Sequence, residues 1–252
     1  MEAAFVIVAA GLAGFLDAVV GGGGLILVPA LFATYPHAPP AVLLANNKSA
    51  SVWGGAMACW QYTRRVPLQR SLLLAVLPLS FAGAMLGAWS VTRIDPTLMR
   101  QALPFMLLAV LIDAFRRKDL GLVHAARFEH AALRWRVAAL ALTMGFYDGF
   151  FGPGTGSFLV FILVRWMGFD FLQASAHAKW LNTASNAAAL WWFSQFAEVW
   201  WHLALPMALA NVVGSFVGSR TAMRLGPVFV RKIFLVVVSA LVLKTLWDAY
   251  LR

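Results

Sequence analysis

Four ionisable side chains stand in stretches of this 252-residue sequence that are otherwise almost purely apolar: Asp17, Lys48, Asp148 and Lys179. A charge in such surroundings is costly unless it is paired or used, which makes it a candidate for function. One offset relates the two sets, because 148 − 17 and 179 − 48 both equal 131. Each aspartate opens a glycine-rich stretch, D-A-V-V-G-G-G-G at 17–24 and D-G-F-F-G-P-G-T-G-S at 148–157. Glycine reaches backbone angles closed to other residues and weakens a helix by about 1 kcal/mol per position, so four in a row predict a break. Backbone N–H groups freed there, with the positive end of the helix that follows, form a cradle for an anion. The candidate cradle residues are Gly21, Gly22, Gly23 and Gly24 in the first stretch and Gly152, Gly154, Thr155 and Gly156 in the second, where Thr155 and Ser157 add hydroxyls. Tight helix packing is the competing use of such small residues.

Downstream of each break, A-N-N-K-S-A-S at 45–51 matches A-H-A-K-W-L-N at 176–182. Helical register puts Lys48, Ser51 and Gly55 on one stripe and Lys179, Asn182 and Asn186 on another. Asn46, Asn47, Lys48, Ser51, His177, Lys179, Asn182 and Asn186 are therefore candidate substrate contacts. Lys48 lies about seven residues, roughly 10 Å, inside its helix, deep enough for desolvation to be costly; the alternative is a lysine that snorkels to the headgroups. Asp17 and Asp148 also have two readings. Either each neutralises the lysine of its own half, the reading favoured here, or it accepts the proton of a coupled gradient. His177 has Asn46 at its matched position and reads as a hydrogen-bonded packing residue more than a proton relay. The sequence offers no Ser/His/Asp set, metal-ligand cluster or P-loop lysine after its glycines, so neither an enzyme nor a cofactor or metal is expected. Cys59, the single cysteine, reads as a small packing residue.

The elements that must position these residues are membrane helices. Hydrophobic residues make up 62% of the chain and charged residues 12%, with a mean hydropathy of +0.77. That leaves too little polar surface to cover a water-soluble globule of this length. Apolar runs of roughly 18 to 22 residues, long enough to cross a hydrocarbon core of about 30 Å, recur near 41–62, 71–91, 98–115, 171–196, 203–219 and 233–250. The alternating pattern of a membrane barrel is absent. Arg and Lys collect at 64–70, 116–136 and 220–232, so the formal charge of +10 reads as a cytoplasmic orientation signal and not as a nucleic-acid footprint. The N-terminal M-E-A-A-F lacks the positive region of a signal peptide, and the first run is expected to stay in the chain.

The offset of 131 holds along the chain without a gap. It aligns Gly14-Phe15 with Gly145-Phe146, Gly83 and Gly87 with Gly214 and Gly218, Arg93 with Arg224, Pro96 with Pro227 and Arg100 with Arg231. Two homologous halves follow: a first membrane repeat over 1–115, a cytoplasmic linker over 116–131 and a second repeat over 132–252, in one membrane domain. The basic connection at 64–70 has a counterpart near 195–201 that holds Glu198 and no Lys or Arg, so the halves are expected to be inverted in the membrane. Inversion needs an odd number of net crossings per half. The segment 5–35, about 31 residues, is too long for one span and too short for two, and 137–166 behaves alike. Each predicts a helix, a glycine break and a shorter return helix, an element tolerated at depth only against protein or a water-filled cavity. The expected fold is all-α, two inverted-topology repeats each with a glycine-broken hairpin plus three transmembrane helices, with both termini outside.

G-G-G-G-L-I-L-V-P-A-L followed by N-N-K, and G-F-Y-D-G-F-F-G-P-G-T-G-S-F followed by A-H-A-K-W-L-N-T-A-S-N, make the sequence resemble the sulfite exporter TauE/SafE family of bacterial membrane proteins over nearly its whole length. The resemblance implies a duplicated inner-membrane permease for small sulfur-containing or organic anions such as sulfite, sulfoacetate or thiosulfate. One departure is Asn46-Asn47-Lys48, where the family usually has Thr-Asn-Lys; an asparagine can still donate a hydrogen bond. The expected activity is secondary anion transport by alternating access, with a passive anion channel as the alternative. Expected partners are a small anion and the bilayer, with protons a candidate coupling ion and a homodimer a candidate assembly.

Overall fold

The computed structural model of the protein describes residues 2–93 and 130–250. Its helices are α1 Glu2–Val20, α2 Gly24–Thr34, α3 Pro40–Thr63, α4 Arg70–Val91, α5 His130–Phe150, α6 Thr155–Arg165, α7 Phe171–Phe196 and α8 Trp201–Tyr250, and no strand occurs among the described residues. Among them, α1, α4 and the Trp201–Gly226 part of α8 are long and apolar enough to cross a membrane. α3 and α7, at 24 and 26 residues, are as long but carry the polar groups. This is the build of an integral membrane protein. The apolar run expected at 98–115 lies outside the described residues, as does nearly all of the 116–131 linker.

The runs at 203–219 and 233–250 both fall in α8, where two helical stretches meet at a kink at Gly226 with φ 72° and ψ −170°. Arg220 to Leu225 continue the helix because Arg, Ala, Met and Leu are good helix formers, and the left-handed φ at Gly226 supplies the kink that a side chain would strain.

Both glycine stretches interrupt the chain. α1 ends at Val20, Gly21 takes φ 78°, and α2 begins at Gly24. Between α5 and α6, Gly152 and Gly154 take φ 93° and 83°. α2 folds back on α1, its Leu27, Ala30 and Leu31 sharing a buried cluster with Val6, Ala9, Ala10 and Ala13. The two breaks touch: the Ser157 N–H donates to the Gly21 carbonyl at 3.0 Å, and Ser157 Oγ donates to the Val20 carbonyl at 3.0 Å. A Cβ at Gly21 would strike the Gly156 backbone, so contact and φ both demand glycine there.

Small residues set the helix packing, as expected where dispersion contacts must replace the hydrophobic effect. α1 lies along α8, with Gly214 on Gly11 and Gly218 on Phe15, and Asn211 Nδ2 donates to the Ala10 carbonyl at 2.9 Å. α4 lies along α5 in the matching way, Gly145 on Ser80 and Gly149 on Ala84. Rising registers on both sides mean that the helices of each pair run in the same direction. α3 runs with α1, since Tyr62 Oη donates to the Ala18 carbonyl at 2.8 Å while Gly54 shares Asn211 with Ala10. α7 runs with α4, Ser80 Oγ donating to the Leu181 carbonyl and Trp192 Nε1 to Thr92 Oγ1. α3 and α7 cross antiparallel, Thr63 meeting Trp180 and Cys59 meeting Thr183.

A side chain at Gly14 or Gly145 would run into the backbone of Asn211 or Ser80, where no rotamer change gives relief. Gly14→Val and Gly145→Val are each expected to abolish monodisperse protein on size-exclusion chromatography in detergent. Gly226→Ala meets open space and is expected to cost only the strain of a backbone region (φ 72°, ψ −170°) essentially confined to glycine, about 1–3 kcal/mol.

Candidate functional site

α3 and α7 each carry a lysine into the interior, and both are fully buried, with side-chain exposures of 1% for Lys48 and 0% for Lys179. Lys48 Nζ lies 2.9 Å from Asp148 Oδ1, and Lys179 Nζ lies 2.6 Å from Asp17 Oδ2. The pairs cross. Each aspartate is bound to the lysine of the other half, which corrects the expectation of pairing within a half. The cause is the meeting of the two breaks: each aspartate sits four residues before its positive-φ glycine, so the contact between breaks carries it across to the opposite lysine-bearing helix. Neither lysine snorkels.

The two carboxylates are held unequally. Asp148 accepts from Ser185 Oγ at 2.6 Å and from Asn182 Nδ2 at 3.4 Å in addition to Lys48. Asp17 has Lys179 and a 3.4 Å contact from the Gly23 N–H, and its side chain keeps 16% exposure against 2% for Asp148. The offset explains the difference, because Ser185 corresponds to Gly54 (185 − 131 = 54), which has no hydroxyl to give. Asn211 Oδ1 occupies the place where a Gly54 side chain would begin.

Between the halves lies a cavity of about 10 Å³. The first half lines it with Asp17, Gly21, Gly24, Asn47, Lys48 and Ser51, and the second with Asp148, Gly152, Gly156, Asn182 and Asn186. Gly152 is needed for space as well as for its φ, since a Cβ there would stand 2.9 Å from Lys48 Nζ. Asn47 Oδ1 is buried with no hydrogen-bond partner.

Other sequence-selected residues serve the walls. Lys179 reaches the site through Asp17, and the Gly23 N–H points to the same carboxylate. Asn46 Nδ2 donates to the Val42 carbonyl and its Oδ1 accepts from the Trp200 N–H, tying α3 to the start of α8. Thr155 Oγ1 donates to the Gly152 carbonyl and caps the second break. His177 Nε2 accepts from the Gln69 N–H at 3.1 Å, so its Nδ1 is the protonated nitrogen that donates to the Gln173 carbonyl at 2.8 Å. Gly22 and Gly154 do not line the cavity. Sequence reasoning missed Ser185, although it lies one turn beyond Asn182 on the same helix, and it missed Ser175, whose Oγ donates to the Val19 carbonyl. Tyr147 Oη, also missed, braces the second break by donating to the Pro153 carbonyl at 2.8 Å.

Membrane helices thus bury crossed ion pairs and two facing glycine breaks around a small polar cavity. The chain belongs to the sulfite exporter TauE/SafE family, whose sequence model matches residues 6–245. It is 38% identical over 249 residues to the probable membrane transporter protein ORF9 of Sinorhizobium sp, covering 97% of this chain and 92% of that one. The probable membrane transporter protein YfcA of Escherichia coli K12 is 33% identical over 239 residues, 95% of this chain and 87% of its own. A probable membrane transporter protein of Haemophilus influenzae is 31% identical over 238 residues, 94% and 91% respectively. No solved structure matches.

Removing one member of a buried pair costs about 3–5 kcal/mol because the other charge is left uncompensated. Lys48→Met is therefore expected to lower thermal stability in detergent sharply, with recovery on adding Asp148→Asn and none on adding Asp17→Asn. The reverse pattern would contradict the crossed pairing. Ser185→Ala, which takes a hydrogen bond from a carboxylate, is expected to cost about 1.5–3 kcal/mol in the same assay.

Proposed function

We propose that the protein is a secondary transporter of the bacterial inner membrane that moves small anions, either sulfur-containing oxyanions or organosulfonates, by alternating access between two inverted repeats. The observation that carries this reading is the polar cavity to which each half contributes an aspartate, the glycines of a broken helix and polar groups of the next helix. Broken helices meeting at the interface of two repeats are where secondary transporters bind substrate. Lys48 supplies positive charge against the second break, and Ser51, Asn182 and Asn186 supply donors. The unpartnered Asn47 supports a ligand there, because native interiors rarely leave a buried polar atom unsatisfied and an amide can turn its NH₂ group toward an anion.

Helix direction supports the inverted arrangement. The offset of 131 carries α1 onto α5, α3 onto α7 and α4 onto α8. α1, α3 and α8 share one direction while α4 and α7 share another with α5, and α3 crosses α7 antiparallel. Glu198 precedes the membrane-spanning part of α8 and Arg224 lies in its last turn, and the basic 220–232 stretch supports a cytoplasmic end there. A cavity of about 10 Å³ holds roughly one water, so an oxyanion enters only after the halves part. That narrowness favours a gated carrier over a passive channel, which needs a continuous pore.

Proteoliposomes loaded with sulfite, thiosulfate or sulfoacetate are expected to show saturable counterflow, and flux that rises linearly without saturation would favour the channel. The charge-neutral double variants Lys48→Met with Asp148→Asn, and Lys179→Met with Asp17→Asn, are expected to fold and to lose flux at least ten-fold. Cysteines placed at Glu198 and Arg224 in a Cys59→Ser background should label from opposite faces of the membrane; labelling of both from one side of intact cells would sink the inverted arrangement.

A further inference from the structure

We infer that one proton enters the site with each anion, and that Asp17, not Asp148, carries it. The inference rests on the transporter reading above and follows from counting charge. The closed site holds two lysines and two carboxylates in crossed pairs, a sum of zero. A monoanion added to it leaves one net negative charge in a low-dielectric interior, which is costly. Protonating one carboxylate restores the balance: two ammonium groups then face one carboxylate and one anion. The proton comes from the aqueous phase to which the site is open and departs with the anion on the other side.

The surroundings decide which carboxylate takes the proton. Asp148 faces Lys48 from α3 and the donors Asn182 and Ser185 from α7, with Tyr147 beside it in its own helix. A proton arriving at Asp148 would have to displace a hydroxyl, an amide or an ammonium already donating to its oxygens. Asp17 faces Lys179 from α7, feels Lys48, Cys59 and Tyr62 from α3, and has the Gly23 N–H at 3.4 Å. Against α1, α8 presents Asn211, Gly214 and Gly218. Asp17 thus lacks a second strong donor, lines the cavity and keeps the larger exposure. Its protonation also releases Lys179 to turn its ammonium to the anion, which accounts for a buried lysine that otherwise touches the cavity only through Asp17.

The arithmetic distinguishes substrates. With one proton per turnover, a monoanion moves without net charge, and a dianion moves with one net negative charge. Reconstituted protein is tested with methanesulfonate, a permanent monoanion, and thiosulfate, a permanent dianion, under an imposed pH gradient and separately under a potassium-valinomycin potential. Methanesulfonate accumulation is expected to approach ten-fold for a one-unit pH gradient, which is the equilibrium limit for one proton per anion, and to ignore the potential; thiosulfate is expected to respond to both. In weakly buffered detergent solution, methanesulfonate binding is expected to take up one proton, a measurement that needs no variant. The folded fraction of Asp17→Asn is expected to lose both the pH-driven accumulation and the proton uptake on methanesulfonate binding. Saturable methanesulfonate flux that follows the potential with no proton uptake, or pH-driven accumulation that survives in Asp17→Asn, would overturn the inference and leave the transporter reading standing. Absence of saturable flux for both probes would remove the transporter reading itself.

Discussion

Everything in this structure answers to one electrostatic requirement: two lysines and two aspartates must share an interior that offers almost no water. The chain meets it by exchange. Lys48 is neutralised by Asp148 and Lys179 by Asp17, so each half closes the other's charge. A buried ion pair contributes little net stability against an apolar replacement, but its loss on one side is severe. The pairs therefore act less as glue than as a condition on assembly: the halves are electrically complete only together.

Geometry makes the exchange possible. Glycine breaks allow two chain reversals to touch within the fold, where Ser157 donates to both the Val20 and Gly21 carbonyls. Glycines at 14, 145, 214 and 218 let helices approach until backbone meets backbone, so each aspartate reaches the opposite lysine without a long side chain. The same closeness keeps the cavity between the halves to about 10 Å³. Hydroxyls on Ser157 and Ser175 then fasten the second half to the last carbonyls of α1.

Much of this was legible in the sequence, for identifiable reasons. Glycine, proline and charged residues are rare enough in an apolar chain that their recurrence at one offset stands out, and this located the breaks, both lysines and both aspartates. Asn182 and Asn186 followed from helical register. Partner choice was not legible. Matched positions at one offset are equally consistent with pairing inside each half or across them, and the contact between the two breaks, with the packing of α1 on α8 and of α5 on α4, decides between the two. Gly54 was invisible as a determinant because its meaning is the absence of the hydroxyl that Ser185 supplies on the other side. Asn46 was drawn into the site by its neighbour Lys48, yet the helix turns it away toward Trp200.

The packing of α1 against α8 also sets a clock on biogenesis. α1 is the first described helix to leave the ribosome, and Asn211, which donates to the Ala10 carbonyl, follows it by 201 residues (211 − 10). At roughly 5–20 residues per second of synthesis, that interval lasts about 10–40 s. Until α8 emerges the glycine-lined flank of α1 lacks its partner, and Asp17 waits the shorter interval of 162 residues (179 − 17) for Lys179. The insertion machinery, or the lipid next to it, must shelter a carboxylate and a bare backbone groove until these partners arrive, and a ribosome that stalls before then leaves behind a membrane-inserted half that is charged and unclosed.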